Sequence, residues 1–256
     1  VYKIEAAIND DVKGMLFTHC FGNPCEIEKI GNLSEKYNIP VLYDAAHCFG
    51  VEYNNQSVLA YGMMSSISFH ATKIFHTIEG GALICNDSEI YKEIGLLRNF
   101  GHNGPETFSA VGINGKNSEF HAAMGLLNLN YIDEIILKRS HQYKLYQTLL
   151  KSKSITFQKI ANNVKYNFAY MPIVLDSENQ VLHLLKELNA ASIFPRRYFY
   201  PSLNDLEIFQ EFKSECPVSS SIASRILCLP LYHDLLDEEI EQVCSVILKT
   251  LNKTID

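Results

Sequence analysis

Ser68-Phe69-His70-Ala71-Thr72-Lys73, followed by Glu79-Gly80-Gly81-Ala82, places a lysine between a short apolar run and a glycine-bounded turn. An amine in that setting can form an imine with an aldehyde if enough water is stripped from it for its proton to leave near neutral pH. Upstream, Asp44 closes the run Val41-Leu42-Tyr43, and Ala45-Ala46 behind it let a flat group approach the backbone. A carboxylate in so apolar a setting calls for a positive partner. A pyridinium nitrogen would serve.

Both groups need an α/β scaffold. Residues 65–69 and 80–85 read as short buried strands, the second entered through a glycine pair, so Lys73 falls near a strand end, where open α/β sheets bind ligands. Residues 15–20 read as a strand, and residues 23–33 as a helix with Asn23 as N-cap, Pro24 in the first turn and Glu26 as the capping-box acid. Ile27, Ile30 and Leu33 share its inner face. With the Val41 strand this makes a β-α-β crossover, whose parallel strands end at one edge, near Phe21 and Asp44. Phe120, Ala123, Met124 and Leu127 begin a helical pattern that runs to about Leu149. An alternating strand over 166–174, a helix with Val181, Leu184, Leu185 and Leu188 on one face, and a final helix with Ile240, Val243, Ile247 and Leu251 read as a compact α+β domain.

These residues resemble the DegT/DnrJ/EryC1/StrS sugar aminotransferases, in which an Asp-Ala-Ala-Gln/His segment and a Ser-Phe-His-x-x-Lys segment recur. The likeness continues through residues 18–24, Leu97-Arg98-Asn99-Phe100-Gly101, residues 112–116, Ala122-Ala123-Met124-Gly125-Leu126 and Leu229-Pro230-Leu231-Tyr232, in family order along the whole chain. The resemblance implies the aspartate-aminotransferase fold (fold type I) with pyridoxal 5'-phosphate. It implies residues 1–135 as part of the large cofactor-binding domain, with a mainly parallel sheet, and residues 136–256 as a small C-terminal α+β domain.

The resemblance also implies roles. Lys73 carries the cofactor and shuttles a proton, and Asp44 faces the ring nitrogen. His47 stands near the phenolic oxygen, where many members have glutamine, and Ser68 contacts the phosphate. Asn114 reaches across a homodimer interface to the partner's phosphate. Taken alone, Lys73 would be a solvated lysine, Ser68 a strand-end hydroxyl satisfying backbone, and residues 103–116 a polar surface loop. Arg196, Arg197 and Tyr198, with Phe199 and Tyr200, can hold a diphosphate and stack on a sugar or base, or form an edge strand with a solvated basic face. His70 and His76 read as packed or surface histidines, and Glu79 as a residue that orients the lysine loop or caps a turn.

The implied reaction is transfer of an amino group, from glutamate, to a nucleotide-linked keto-deoxysugar for glycan biosynthesis. Residues 75–81 with Asp44-Ala45-Ala46-His47 look most like members that form dTDP-4-amino-4,6-dideoxyglucose. Lys73 argues against the family's dehydratases, which carry histidine there. Val1 to Ile8 resembles a point well inside the large domain, so a segment of roughly a hundred residues, which supplies a phosphate-binding turn in members, is expected to be lacking. A truncated, non-catalytic interaction module is the rival from another class.

Composition agrees with a soluble α/β enzyme: 47% hydrophobic and 20% charged residues can bury a sizeable core. A net charge of -7 disfavours nonspecific nucleic-acid binding, and no apolar stretch has the length of a transmembrane helix. The seven cysteines are scattered, without a CxxC pair, and read as reduced thiols in a cytoplasmic protein that binds no metal.

Overall fold

After a short helix, Tyr2–Ala7 (α1), the chain builds a β-α-β crossover from Met15–Thr18 (β1), Ile27–Tyr37 (α2) and Val41–Asp44 (β2). The computed structural model describes residues 1–212 and 214–253. Strand β1 pairs parallel with β2, and β2 parallel with Met64–Ser68 (β5). Gly81–Cys85 (β6) adds antiparallel to β5, for a sheet order β1-β2-β5-β6. The register aligns Thr18 with Asp44 and Asp44 with Ser66, while Ser68 faces Gly81. The carboxyl ends of three strands and the start of the fourth therefore share one edge. Residues 69–80, which contain Lys73, bridge β5 to β6 there.

Helix α2 covers one face of this sheet. Ile30 and Leu33 pack with Met15, Val41 and Tyr43, while Ile27 packs with Ala45, Cys48, Val51 and Val58 behind Asp44. The helix starts three residues later than the sequence suggests, with Glu26 at the N-cap position. The backbone N–H of Cys25, ahead of this start, goes to His19 Nδ1 at 3.1 Å. Asn38 ends the helix in the left-handed conformation (φ 51°) that asparagine tolerates.

A second small sheet joins Glu52–Tyr53 (β3), Gln56–Ser57 (β4) and Val164–Lys165 (β8). Asn54 and Asn55, both at positive φ, make the β3–β4 turn. Ser88–Leu97 (α3), capped by Asp87, follows β6. The long predicted helix is two helices, Glu119–Leu129 (α4) and Ile132–Leu149 (α5), broken at Asn130 and Tyr131.

The chain divides into two units: Val1–Glu134 with Ile160–Asn167, and Ile135–Lys159 with Phe168 onward. The expected division into 1–135 and 136–256 differs at residues 160–167, which return to the first unit through the β3–β8 pairing. Of the expected strand over 166–174 only Met171–Val174 (β9) forms, because Tyr166 and Asn167 belong to the first unit and bond to Phe21 and His47 there.

In the second unit, β9 lies between Thr156–Phe157 (β7) and Ile226–Leu229 (β10), antiparallel to both. Glu178–Ala190 (α6) buries Val181, Leu184 and Leu188, and Asp237–Lys253 (α8) buries Ile240, Val243 and Ile247. Pro217–Arg225 (α7) leads into β10. Gln142, fully buried on α5, donates to the carbonyls of Tyr232 and Leu235, and Tyr146 Oη donates to Pro230 O. These bonds explain the polar residues inside an otherwise apolar helix face.

Candidate active site

Strand pairing brings Asp44 and the Lys73 loop to one sheet edge. Asp44 is the last residue of β2, and its carbonyl accepts the N–H of His19 at 2.9 Å. One carboxylate oxygen, Oδ1, accepts the N–H of Ala46 at 3.0 Å. The other makes no hydrogen bond among the described residues.

Lys73 sits in a turn closed by its own N–H to His70 O at 2.9 Å. Its amine has no hydrogen bond or ion pair among the described residues. Burial holds its pKa below the usual lysine range, with the charge of Asp44 opposing that shift. The acid and the amine thus sense one another without touching, each with bonding capacity to spare.

His47 is buried and points Nδ1 at the N–H of Phe21, 3.0 Å away. With Nδ1 an acceptor, the neutral ring carries its proton on Nε2. Its pKa is pushed down to about 4, first by burial and then by the charge of Lys73, against the pull of Asp44. Asn167 donates to His47 O at 2.8 Å and Phe49 O at 2.9 Å, and Tyr166 Oη donates to Phe21 O at 2.7 Å. The returning segment thereby holds the backbone of His47, of Phe49 after it, and of Phe21, to which the His47 ring bonds.

His19 is fully buried and stacks on Tyr43, with ring centroids 4.5 Å apart. Burial pushes its pKa down to about 4, against the Asp44 charge, so it is neutral.

The lysine loop is anchored at both ends. Phe69 N–H reaches Gly80 O at 2.8 Å, Thr77 N–H reaches Phe69 O at 2.9 Å, and Ile74 and Phe75 are buried beneath it. Phe75 stacks on Phe49 with centroids 4.1 Å apart. On α4, a Cβ at Gly125 would meet Thr77 Cγ2 at 2.7 Å, and Asn128 Nδ2 donates to His76 O at 2.9 Å. Ser68 Oγ accepts the N–H of His70 at 3.3 Å, and His70 Nδ1 lies 2.9 Å from Thr72 Oγ1. His70 Nε2 lies 3.6 Å from Glu79 Oε1, both side chains exposed.

The structure therefore gathers Lys73, Asp44, His47 and Ser68 on the first unit's strand ends. Asn114 is exposed on the loop between α3 and α4, bridged through its backbone to Asn99, and forms no hydrogen bond with those four among the described residues. Arg196, Arg197 and Tyr198 belong to the second unit. There Arg197 is committed inward: its guanidinium binds Glu178 Oε1 at 2.8 Å and Ser224 O at 2.9 Å, and lies 3.4 Å over the Tyr200 ring. Arg196 is exposed, with Nη1 3.4 Å from Tyr198 Oη.

Sequence reasoning passed over Thr77, Asn128, Tyr166 and Asn167. A small residue amid the apolar positions of α4 was the one available sign of close approach, and it falls at Gly125. Among the described residues no group of His, Cys, Asp and Glu is arranged to hold a metal ion, and no helix is long and apolar enough to cross a membrane.

Residues 1–248 match the DegT/DnrJ/EryC1/StrS aminotransferase family. A dTDP-4-amino-4,6-dideoxy-D-glucose transaminase of Shigella dysenteriae is 39% identical over 253 residues, spanning 96% of this chain and 68% of that protein. One of the same name from Escherichia coli is 36% identical, with the same two shares, 96% and 68%. Among solved structures, PseC of Helicobacter pylori, an aminotransferase involved in pseudoaminic acid biosynthesis, superposes with a TM-score of 0.89 at 25% identity, covering 98% of this chain and 70% of that one.

Proposed function

The chain belongs to the DegT/DnrJ/EryC1/StrS aminotransferase family, and we propose that it transfers an amino group from glutamate to a keto-deoxysugar carried on dTDP, forming dTDP-4-amino-4,6-dideoxyglucose. The observation that carries this reading is the pair Asp44 and Lys73: opposite in charge, on one sheet edge, unpaired with each other, and each with a free polar atom. A flat cation with an aldehyde suits that arrangement. Pyridoxal phosphate, on which the family depends, supplies the aldehyde carbon that takes up amines and a ring that accepts an electron pair from the substrate carbon.

The residues present fit this cofactor. The free oxygen of Asp44 suits a ring N–H and would keep that nitrogen charged. Lys73, with its proton loosened by burial, is the amine to hold the aldehyde carbon and afterwards to take a proton from the substrate carbon on Nζ. His47 Nε2–H is a donor for the phenolic oxygen, and Ser68 Oγ is a donor for the phosphate. In a twofold homodimer, Asn114 would donate to the phosphate held by a second copy. Arg196 and Tyr198 suit the diphosphate and the sugar face of the substrate, while Arg197 supports that segment from inside.

The test is amine transfer from glutamate to dTDP-4-keto-6-deoxyglucose, with the product mass read directly, together with borohydride trapping of the cofactor. The expected label falls on Lys73. Label on another lysine, or a bound cofactor with no amine transferred to any nucleotide-linked keto-sugar, would overturn the assignment.

A further inference from the structure

Arg139, on α5 in the second unit, leaves one side of its planar guanidinium unused. Nη1 donates to Ala169 O at 3.0 Å, while Nε–H is sealed from solvent and has no partner. Nη2 makes no hydrogen bond among the described residues. The idle atoms, Nε and Nη2, form one edge of the fork. Two parallel donors in that arrangement match the two oxygens of a carboxylate.

Other arginines of the same unit show how a guanidinium is satisfied there. Arg197 binds Glu178 Oε1, and Arg225 gives Nε and Nη2 to Ser221 and Nη1 to Leu175 O. Arg139 has neither an acid nor a full set of oxygens among the described residues. Burial holds its pKa below the usual guanidinium range, and the one titrating neighbour that opposes the shift is Tyr170. Arginine stays protonated even so. A charge withdrawn from water without an opposite charge beside it is costly, so the free edge calls for an anion that the chain does not supply.

The surroundings favour one. The Tyr170 ring stands edge-on to that of Tyr198 with centroids 6.2 Å apart, and the Arg196 guanidinium lies 5.8 Å from the centre of the Tyr198 ring. No carboxylate pairs with Arg139 or Arg196 among the described residues. We propose that Arg139 is a carboxylate-binding residue: its Nε–Nη2 edge takes both oxygens of the group that amino acids and keto acids carry, with Tyr170 beside it. A single free edge suits a planar group better than a tetrahedral phosphate, which calls for donors from several directions.

The test is titration calorimetry on the whole chain without cofactor, using glutarate, a dicarboxylate with no amine to react, and inorganic phosphate. The native protein is expected to bind glutarate. Arg139→Lys keeps the charge and a donor for Ala169 O but not the fork, and is expected to bind glutarate at least about tenfold more weakly. Arg139→Met, of similar volume, is expected to bind none. Melting curves show whether each variant folds, and should the methionine variant fail to fold, the lysine variant decides alone. Native protein that binds no glutarate, or a lysine variant that binds it with native affinity, overturns the inference. So does phosphate bound as tightly as glutarate and lost in the same variants, which would make this a phosphate site.

Discussion

Asn128 on α4 donates its side-chain amide to the carbonyl of His76, 52 residues away in the chain and 2.9 Å away in space. That bond ties the lysine loop to a helix the loop does not otherwise follow in sequence. Asn128→Ala should lower stability by about 1 kcal/mol and slow the labelling of Lys73, whereas Asn130→Ala two residues on should not change the labelling. Equal labelling by the Asn128 variant and the native protein would show that α4 is only a neighbour.

Asp44→Asn should keep the fold, since the amide oxygen can still accept the Ala46 N–H, and should lose about a hundredfold in turnover with the charge. Asp44 also raises the pKa of Lys73. The pH profile of Lys73 labelling in the cofactor-free variant should therefore move to lower pH. Turnover near the native value, or a profile moved upward, would count against the assigned role.

His19 and His47 make stability depend on pH. Both are held near 4, against an ordinary 6.5, with burial the leading cause. Their folded pKa values lie below the unfolded ones, so at pH between these limits the unfolded chain binds protons that the folded chain refuses. Stability is then complete above about pH 6.5 and declines toward pH 4, by up to on the order of 3 kcal/mol for each ring. Urea midpoints measured across that window should show the decline, and a double variant, His19→Asn with His47→Gln, should flatten it. An unchanged slope in the double variant would place the dependence elsewhere.

The proposed role of Asn114 is at the cofactor phosphate of a second copy. Lys73→Ala and Asn114→Ala subunits, each impaired alone, should regain activity when mixed, because one site in the mixed dimer carries both native residues. Mixed dimers that form without gain in activity would return Asn114 to the role of an exposed loop residue.

Much of the site was legible because its groups sit at ends of regular elements. Asp44 closes an apolar strand, and Lys73 lies between a strand end and a glycine pair, so type and spacing put each near a strand end, while the family resemblance joined them in one site. The helix start was misread at Asn23, where the N–H of Cys25 is held by His19, six residues back. Arg197 read as a residue that could hold a diphosphate, but whether a guanidinium turns outward depends on Glu178 and Ser224, residues distant in sequence that no local pattern reveals. Asn167 was invisible for the same reason: its partners, the carbonyls of His47 and Phe49, carry no side-chain signal.

The excursion of the chain into the second unit before Ile160–Asn167 returns has a consequence for biosynthesis. The backbone around His47 is secured by Tyr166 and Asn167, so a nascent chain that has emerged only as far as α5 holds Asp44 and Lys73 but not the clamp on the residue beside them. At roughly 5–20 residues per second, several seconds separate translation of His47 from arrival of its clamp. The clamp therefore forms well after the residues it steadies, and a break in the chain between α5 and β8 would leave those residues present but the clamp untethered.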